Sequence, residues 1–226
     1  MSDSEGYTGQ RETMVREQIE RRGIYDPGVL AAMRAVPRHA FVPTDQRDWA
    51  YSDGALRIEM GQTISQPYIV ALMTELMRLK GGETVLEVGT GSGYQAAVLA
   101  QIAGQVYSIE RLTALAEQAQ QVLDSLAIKN VEIHVGDGTL GLTEHAPFQA
   151  IMVTAAAPKV PKPLLEQLDE GGRLVIPVGS KYNQILEVWQ RQGAKYTHEM
   201  ASAVVFVPLL GDEGWNEKDW KKSRFW

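Results

Sequence analysis

The chain has no cysteine among its 226 residues, which excludes disulfides, thiolate metal sites and a cysteine nucleophile together. It also lacks any apolar run near the roughly 18 residues needed to cross a bilayer, so no membrane partner is expected. Met1 to Gln10 is polar, with no basic stretch leading into an apolar one; no secretory signal is expected, and the chain reads as cytoplasmic. Basic charge is short: 22 Lys plus Arg against 28 Asp plus Glu leave a formal net charge of −6. That balance argues against a broad phosphate-binding surface, and no nucleic-acid partner is expected. The four histidines, His39, His134, His145 and His198, show no metal-ligand spacing, so no metal is expected. His134 alternates within a strand and reads as a packed or surface residue.

What is present suits a folded domain. Hydrophobic residues make up 44% and charged residues 22%, ordinary values for a globular chain. A chain of this length buries roughly 70% of its unfolded surface, enough for a core without staples. Residues 11–36 read as helical, broken at Gly23 and at Asp26-Pro27, with Asp26 placed to cap a helix from Val29 to Arg34. Pro37 to Pro67 shows no clear periodicity, and structureless stretches of that length are often functional. Ile69, Leu72, Met73, Leu76 and Leu79 recur at helical spacing until Gly81-Gly82 stop them.

Short β runs then alternate with helices. Strands are predicted at 85–88, 106–109, 131–135, 150–153 and 173–178, then at 185–189 and 204–209. Helices are predicted at 94–102, 112–126 and 161–168, the last closed by Gly171-Gly172. Such alternation implies an α/β fold with a doubly wound, mostly parallel sheet and an antiparallel element near the end. The expected layout is an N-terminal helical and irregular segment at 1–80, a core at 81–210, and an extension at 211–226. Three of the five tryptophans, Trp215, Trp220 and Trp226, lie in that extension. It reads as a strap laying Trp215 and Trp220 onto the body, or else as a dimer contact or an active-site cover.

The most informative stretch is Glu87-Val88-Gly89-Thr90-Gly91-Ser92-Gly93-Tyr94. A glycine turn between a strand and a helix brings bare backbone close to a ligand. Glu110 follows seventeen residues past Gly93, at the end of the second strand, where a carboxylate can accept from both hydroxyls of a ribose. The dinucleotide fingerprint wants glycine at position 94; Tyr94 stands there, which weakens the NAD reading. Glycines at 89, 91 and 93 behind an acidic Glu87 resemble the first motif of class I, Rossmann-like methyltransferases that use S-adenosylmethionine and release S-adenosylhomocysteine. That resemblance places Glu87, with the Gly89-Thr90-Gly91 turn, near the amino-acid end of the cofactor. It also makes Asp137 and Gly138, after the third strand, the adenine contacts. Taken alone, Asp137-Gly138 is equally a plain turn.

No general base is evident. After the fourth strand the chain reads Thr154-Ala155-Ala156-Ala157-Pro158, with neither the amide or acid of amino-group methyltransferases nor the acidic ligands of metal-assisted ones. A carboxylate acceptor is already deprotonated at neutral pH and needs only positioning, partial desolvation and hydrogen-bond donors. Small residues at 154–157 with free backbone groups, plus a nearby hydroxyl, suit that need.

Further blocks extend the resemblance over nearly the whole chain. They are Val36-Pro37-Arg38-His39-Ala40-Phe41-Val42-Pro43, Gly61-Gln62-Thr63-Ile64-Ser65-Gln66-Pro67-Tyr68, and Gly171-Gly172-Arg173-Leu174-Val175-Ile176-Pro177-Val178-Gly179. Together they resemble the protein-L-isoaspartate O-methyltransferase family, Thr63 to Pro67 being the most diagnostic. The resemblance implies methylation of the free α-carboxylate of L-isoaspartyl residues in damaged peptides and proteins, which starts repair through a succinimide. It makes Ser65 the active-site serine, sets Ile64, Gln66 and Pro67 beside the cofactor, and puts Val207-Pro208-Leu209 in a late strand beside the substrate. Ser65 also reads as a helix N-cap ahead of Pro67. Arg38 and His39 read equally as substrate contacts or salt-bridged surface residues. A monomer is expected. The competing functions are methylation of another carboxylate or an amine, and a non-catalytic isoaspartyl-binding adaptor.

Overall fold

The computed structural model describes residues 3–218; Trp220 and Trp226 lie outside them. Helix α1 (Asp3–Met14) continues through a π-helical turn at Val15–Ile19 and a 3-10 turn at Glu20–Arg22, and stops where Gly23 takes a φ of 93°. The helix therefore begins well ahead of residue 11. Helix α2 (Pro27–Ala35) has the predicted Asp26 cap but starts two residues before Val29: the Asp26 carboxylate accepts from Val29 N at 2.9 Å, and Pro27 sits in the first turn, where its missing N–H costs nothing. The aperiodic stretch contains three 3-10 turns, Arg38–Phe41, Thr44–Trp49 and Glu59–Gly61, and a small antiparallel ribbon of β1 (Leu56–Arg57) with β2 (Thr63–Ile64). Helix α3 (Pro67–Met77) follows directly.

Seven strands form the main sheet: β3 (Thr84–Val88), β4 (Gln105–Glu110), β5 (Val131–Val135), β6 (Phe148–Val153), β7 (Leu168–Gly179), β8 (Gln184–Gln192) and β9 (Lys195–Val204). Their spatial order is β5-β4-β3-β6-β7-β8-β9. The pairs from β5 to β7 are parallel, and β8 and β9 add antiparallel hairpin partners. Helices α4 (Tyr94–Ala100), α5 (Thr113–Ser125) and α6 (Lys162–Glu166) connect the parallel strands. Alternation along β3 shows both faces covered. Val85 packs with Met33, Val70 and Leu99 from the helices, whereas Leu86 packs with Ile151, Leu164 and Ile176. The α/β, mostly parallel sheet is as the sequence implies.

Three local expectations need correction. Helix α6 ends at Glu166, and Gly171-Gly172 lie inside β7 at a bulge, where the register against β6 shifts between Phe148 and Ala150. Gly172 is required there because a Cβ would sit 2.9–3.0 Å from the Asp169 and Phe148 carbonyl oxygens. The last strand ends at Val204 and is not 204–209: Lys195–Val204 is exposed along most of its length, so no apolar alternation marked it. Val207 to Leu209 makes only an isolated parallel bridge to Ala156, through Ala156 N to Val207 O and Leu209 N to Ala156 O, both 2.8 Å. Pro208 fits because that bridge needs no N–H from it.

Arg38 is not a surface ion pair, and it does not line the cleft at the end of β3. It is wholly buried; its Nε donates to Ala50 O at 2.8 Å, and its guanidinium lies 4.9 Å from the centre of the Tyr94 ring. Burial pulls its pKa down to about 10. His39 stacks on Tyr7 at 4.0 Å and meets the Tyr51 hydroxyl at 2.8 Å. Among the described residues no helix is long and apolar enough to cross a membrane.

Candidate active site

Strand β3 pairs with β4 on one side and β6 on the other, so the order of connection reverses at its C-terminal end, where open α/β sheets bind ligands. The glycine turn begins at that end. Gly89, Gly91 and Gly93 take φ of 100°, 53° and 84°, values that side chains with a Cβ avoid. A Cβ on Gly89 would collide with Thr154 Oγ1, which donates to Gly89 O at 2.6 Å. Gly93 caps α4 against Ala119, 3.1 Å from where its Cβ would stand.

Glu110, the last residue of β4, is 7% exposed. Its carboxylate accepts from Gly91 N at 2.9 Å and Leu112 N at 3.0 Å. A carboxylate offers about four acceptor positions, so two bonds fix its direction and leave the rest for a ligand. A cleft opens here. Of the residues anticipated from sequence, Ile64, Ser65, Gly89, Thr90, Gly91, Glu110 and Gly138 line it. Gln66, Pro67, Glu87, Gly93 and Asp137 stand outside the lining.

Glu87 lies wholly buried below the turn. Its Oε2 accepts from Ser108 Oγ at 2.5 Å, and Ser108 Oγ meets Thr90 Oγ1 at 2.6 Å. Among the described residues Oε1 has no hydrogen-bond partner. Burial, opposed by the Ser108 bond and reinforced by the Glu110 charge, pushes the Glu87 carboxyl up to about 8. Asp137 Oδ1 accepts from Thr139 N and Oγ1 at 2.9 and 2.7 Å, and Oδ2 accepts from Asp212 N at 2.8 Å. It thus ties the start of the C-terminal extension to the cleft border. Gln66 donates to Asp53 Oδ1 at 2.6 Å.

Ser65 is half-buried and is not the helix cap. Gln66 occupies the cap position without a side-chain bond, and Pro67 begins α3. Ser65 borders both the cleft and an adjoining groove lined by Ala55, Gln66, Tyr182 and Val205. The expected free backbone groups at 154–157 are largely committed: Thr154 N donates to Val88 O, Ala156 N to Val207 O and Ala157 N to Pro177 O, at 2.8–2.9 Å. Ala155 still lines the cleft. Sequence reasoning missed the first turn of α4, where Tyr94 and Gln95 face the cleft, and Arg111 and Leu112 just past Glu110. Adjacency to the glycine turn and to the strand end was the available signal. No histidine lines the cleft.

Comparison with known proteins matches this architecture. The family model for protein-L-isoaspartate(D-aspartate) O-methyltransferase matches residues 9–214. The chain is 60% identical over 208 residues to protein-L-isoaspartate O-methyltransferase 2 of Pelobacter propionicus, covering 91% of this chain and 92% of that one. It is 54% identical over 214 residues to the Synechococcus protein-L-isoaspartate O-methyltransferase, covering 92% and 88%. A solved protein-L-isoaspartate O-methyltransferase superposes with a TM-score of 0.82 at 29% identity, over 90% of this chain and 67% of the other. A Plasmodium falciparum structure, described as an enzyme of the same name in complex with S-adenosyl-L-homocysteine, gives a TM-score of 0.76 at 26% identity, over 90% and 98%. The chain belongs to the protein-L-isoaspartate(D-aspartate) O-methyltransferase family, whose members are S-adenosylmethionine-dependent enzymes.

Proposed function

We propose that the cleft at the end of β3 is where this enzyme methylates the free α-carboxylate of L-isoaspartyl residues in damaged proteins, the step that starts repair through a succinimide. The observation that carries the reading is one cavity bordered by the positive-φ glycine turn, the backbone-oriented Glu110 and Ser65. When bound, S-adenosylmethionine supplies the electrophilic sulfonium methyl group. The residues present fit it. Glu110 would hold the ribose hydroxyls with its remaining acceptor positions, and Gly89 to Gly91 offer backbone that no Cβ shields. Gly138, where a Cβ would crowd Val88, would leave room for the adenine ring. Asp137, with three of about four acceptor positions used, would accept once more from the adenine amino group. The unpartnered Glu87 Oε1 would be available as an acceptor for the ammonium group of the cofactor's amino-acid end. Ile64, Gln66 and Pro67 would fix the border of the site, and Gly93 the start of α4.

The acceptor carboxylate needs no base, and its cleft holds no histidine. Ser65 would donate a hydrogen bond to the acceptor carboxylate and hold it in line, without acting as a nucleophile. Its place between cleft and groove suits an extended peptide entering from the groove. We read residues 1–80 as the substrate-side segment, 81–210 as the cofactor core and 211–226 as an extension. The same reading has the enzyme acting in the cytoplasm as a monomer, with no nucleic-acid or membrane partner, in keeping with its net charge of −6.

Labelled methyl transfer to a matched peptide pair tests the function. The L-isoaspartyl peptide should be methylated and the L-aspartyl peptide should not. The isoaspartyl linkage moves the carboxylate by about one methylene, and an ångström of misplacement can cost about 100-fold. The product should be an alkali-labile ester. Equal methylation of both peptides would leave a methyltransferase of another carboxylate, a base-stable product would indicate an amine acceptor, and binding without transfer would indicate an adaptor.

A further inference from the structure

Glu132 and His134 are two residues apart on β5 and so project from the same face of this edge strand. His145 ends the 3-10 turn Thr143–His145 that leads into β6. The fold brings these three together: one ligand atom from each, a carboxylate oxygen and two ring nitrogens, lie within 4.8 Å of one another. The two imidazole rings are 5.4 Å apart. His134 Nε2 lies 3.0 Å from Glu132 Oε1, yet it is buried and, among the described residues, makes no hydrogen bond of acceptable geometry. Tyr107 of β4 stacks on His145 at 4.0 Å and tilts against His134 at 6.0 Å, so an aromatic wall holds both rings. The Glu132 side chain is 53% exposed, which leaves a solvent-facing side for entry of an ion and for water ligands.

Two imidazole nitrogens and a carboxylate with an open position form a donor set suited to zinc and similar borderline divalent ions. Magnesium and calcium prefer all-oxygen surroundings. We propose that Glu132, His134 and His145 bind one zinc-class divalent ion, completed by water, at the edge of the sheet. The spacing of 132, 134 and 145 gives no motif, so the site exists only through the return of the chain from β5 to β6. Because the ion would join β5 to the turn before β6, it would bracket the loop containing Gly138, which lines the cleft. The inference rests on these side chains and is independent of the proposed methyl transfer.

Calorimetric titration of tag-free protein with zinc chloride, in a non-chelating buffer near neutral pH, tests it. One zinc per chain should bind, magnesium chloride should give no matching heat, and the thermal midpoint should rise with zinc concentration as for any ligand of the native state. Cobalt chloride should give a visible absorption band from the same site. Glu132→Gln, at an exposed side chain that folding does not need, should weaken zinc by about tenfold or more, the scale of losing one of three protein ligands. His145→Asn should abolish the site and the cobalt band, while His198→Asn should leave both unchanged. No zinc uptake by the wild-type chain would overturn the proposal. So would uptake of the same stoichiometry and affinity in both Glu132→Gln and His145→Asn, which would place the ion elsewhere.

Discussion

Replacing Glu87 by glutamine keeps the side-chain shape and removes its charge. In the native chain burial pushes this carboxyl from 4.5 to about 8; on unfolding it returns to the ordinary value. Across that window the native state holds a proton that the unfolded chain has released. The stability it contributes is therefore complete below about pH 4.5 and is lost as pH rises towards 8. The slope is about 1.4 kcal/mol per pH unit, shallower at both ends. Integrated from pH 5 to pH 8, the loss is a few kcal/mol, on the order of 3. Glu87→Gln has no such proton, so the wild-type unfolding free energy should fall relative to the variant by that amount, and the variant should be the more stable at pH 8. Urea melts of the cofactor-free proteins at pH 5, 6.5 and 8 measure the difference. Parallel stability curves would refute the reasoning, because Glu87 would then be either solvated or already paired.

Four further outcomes are expected. Glu110→Ala should weaken S-adenosylmethionine and S-adenosylhomocysteine by about 2–3 kcal/mol, the scale of charge-assisted hydrogen bonds; unchanged calorimetric affinity would remove Glu110 from the site. Ser65→Ala should lower turnover on an isoaspartyl peptide while leaving cofactor affinity within a few-fold. Its melting free energy should move by less than about 0.5 kcal/mol, since Gln66 and not Ser65 holds the cap position. Gly89→Ala should destabilise by about 1–3 kcal/mol through its φ of 100° and its collision with Thr154, and adding Thr154→Ala should restore part of the loss in a thermal melt. Asp137→Ala should cost about 1–3 kcal/mol and expose the segment after Leu210 to limited proteolysis, because the carboxylate that holds Asp212 N at 2.8 Å is gone.

The parts of the fold legible in the sequence are those set by neighbours in the chain. Asp26 caps α2 through Val29, three residues away. The glycines at 89, 91 and 93 turn the chain between β3 and α4, and Glu110 follows at the end of β4. The apolar signal was clear in β3, β4 and β6, which are buried along most of their length. It failed for β9, which is exposed along most of its length, and for Gly171-Gly172, which read as a helix stop but form a bulge whose need comes from the Phe148 carbonyl.

Residues whose partners lie far along the chain carried no such mark, and the site depends on several of them. Thr154 holds Gly89 O from 65 residues away, Asp137 holds Asp212 N from 75, and Ser108 links Glu87 to Thr90. Ser108, Glu87, Asp137 and Asp212 stand outside the cleft lining, whereas Gly89, Thr90 and Thr154 are part of it. That division follows from what binding demands. The lining must present bare backbone and unspent acceptor positions, which glycine and a terminal-strand carboxylate announce in sequence. The supporting layer needs only some polar atom at the right distance, and Thr, Ser or Asp can supply it from any element the topology brings near. Glu87 belongs to the supporting layer, yet its place before the glycine turn is visible in the sequence, while its raised pKa arises from burial and the Glu110 charge, which only the folded sheet supplies.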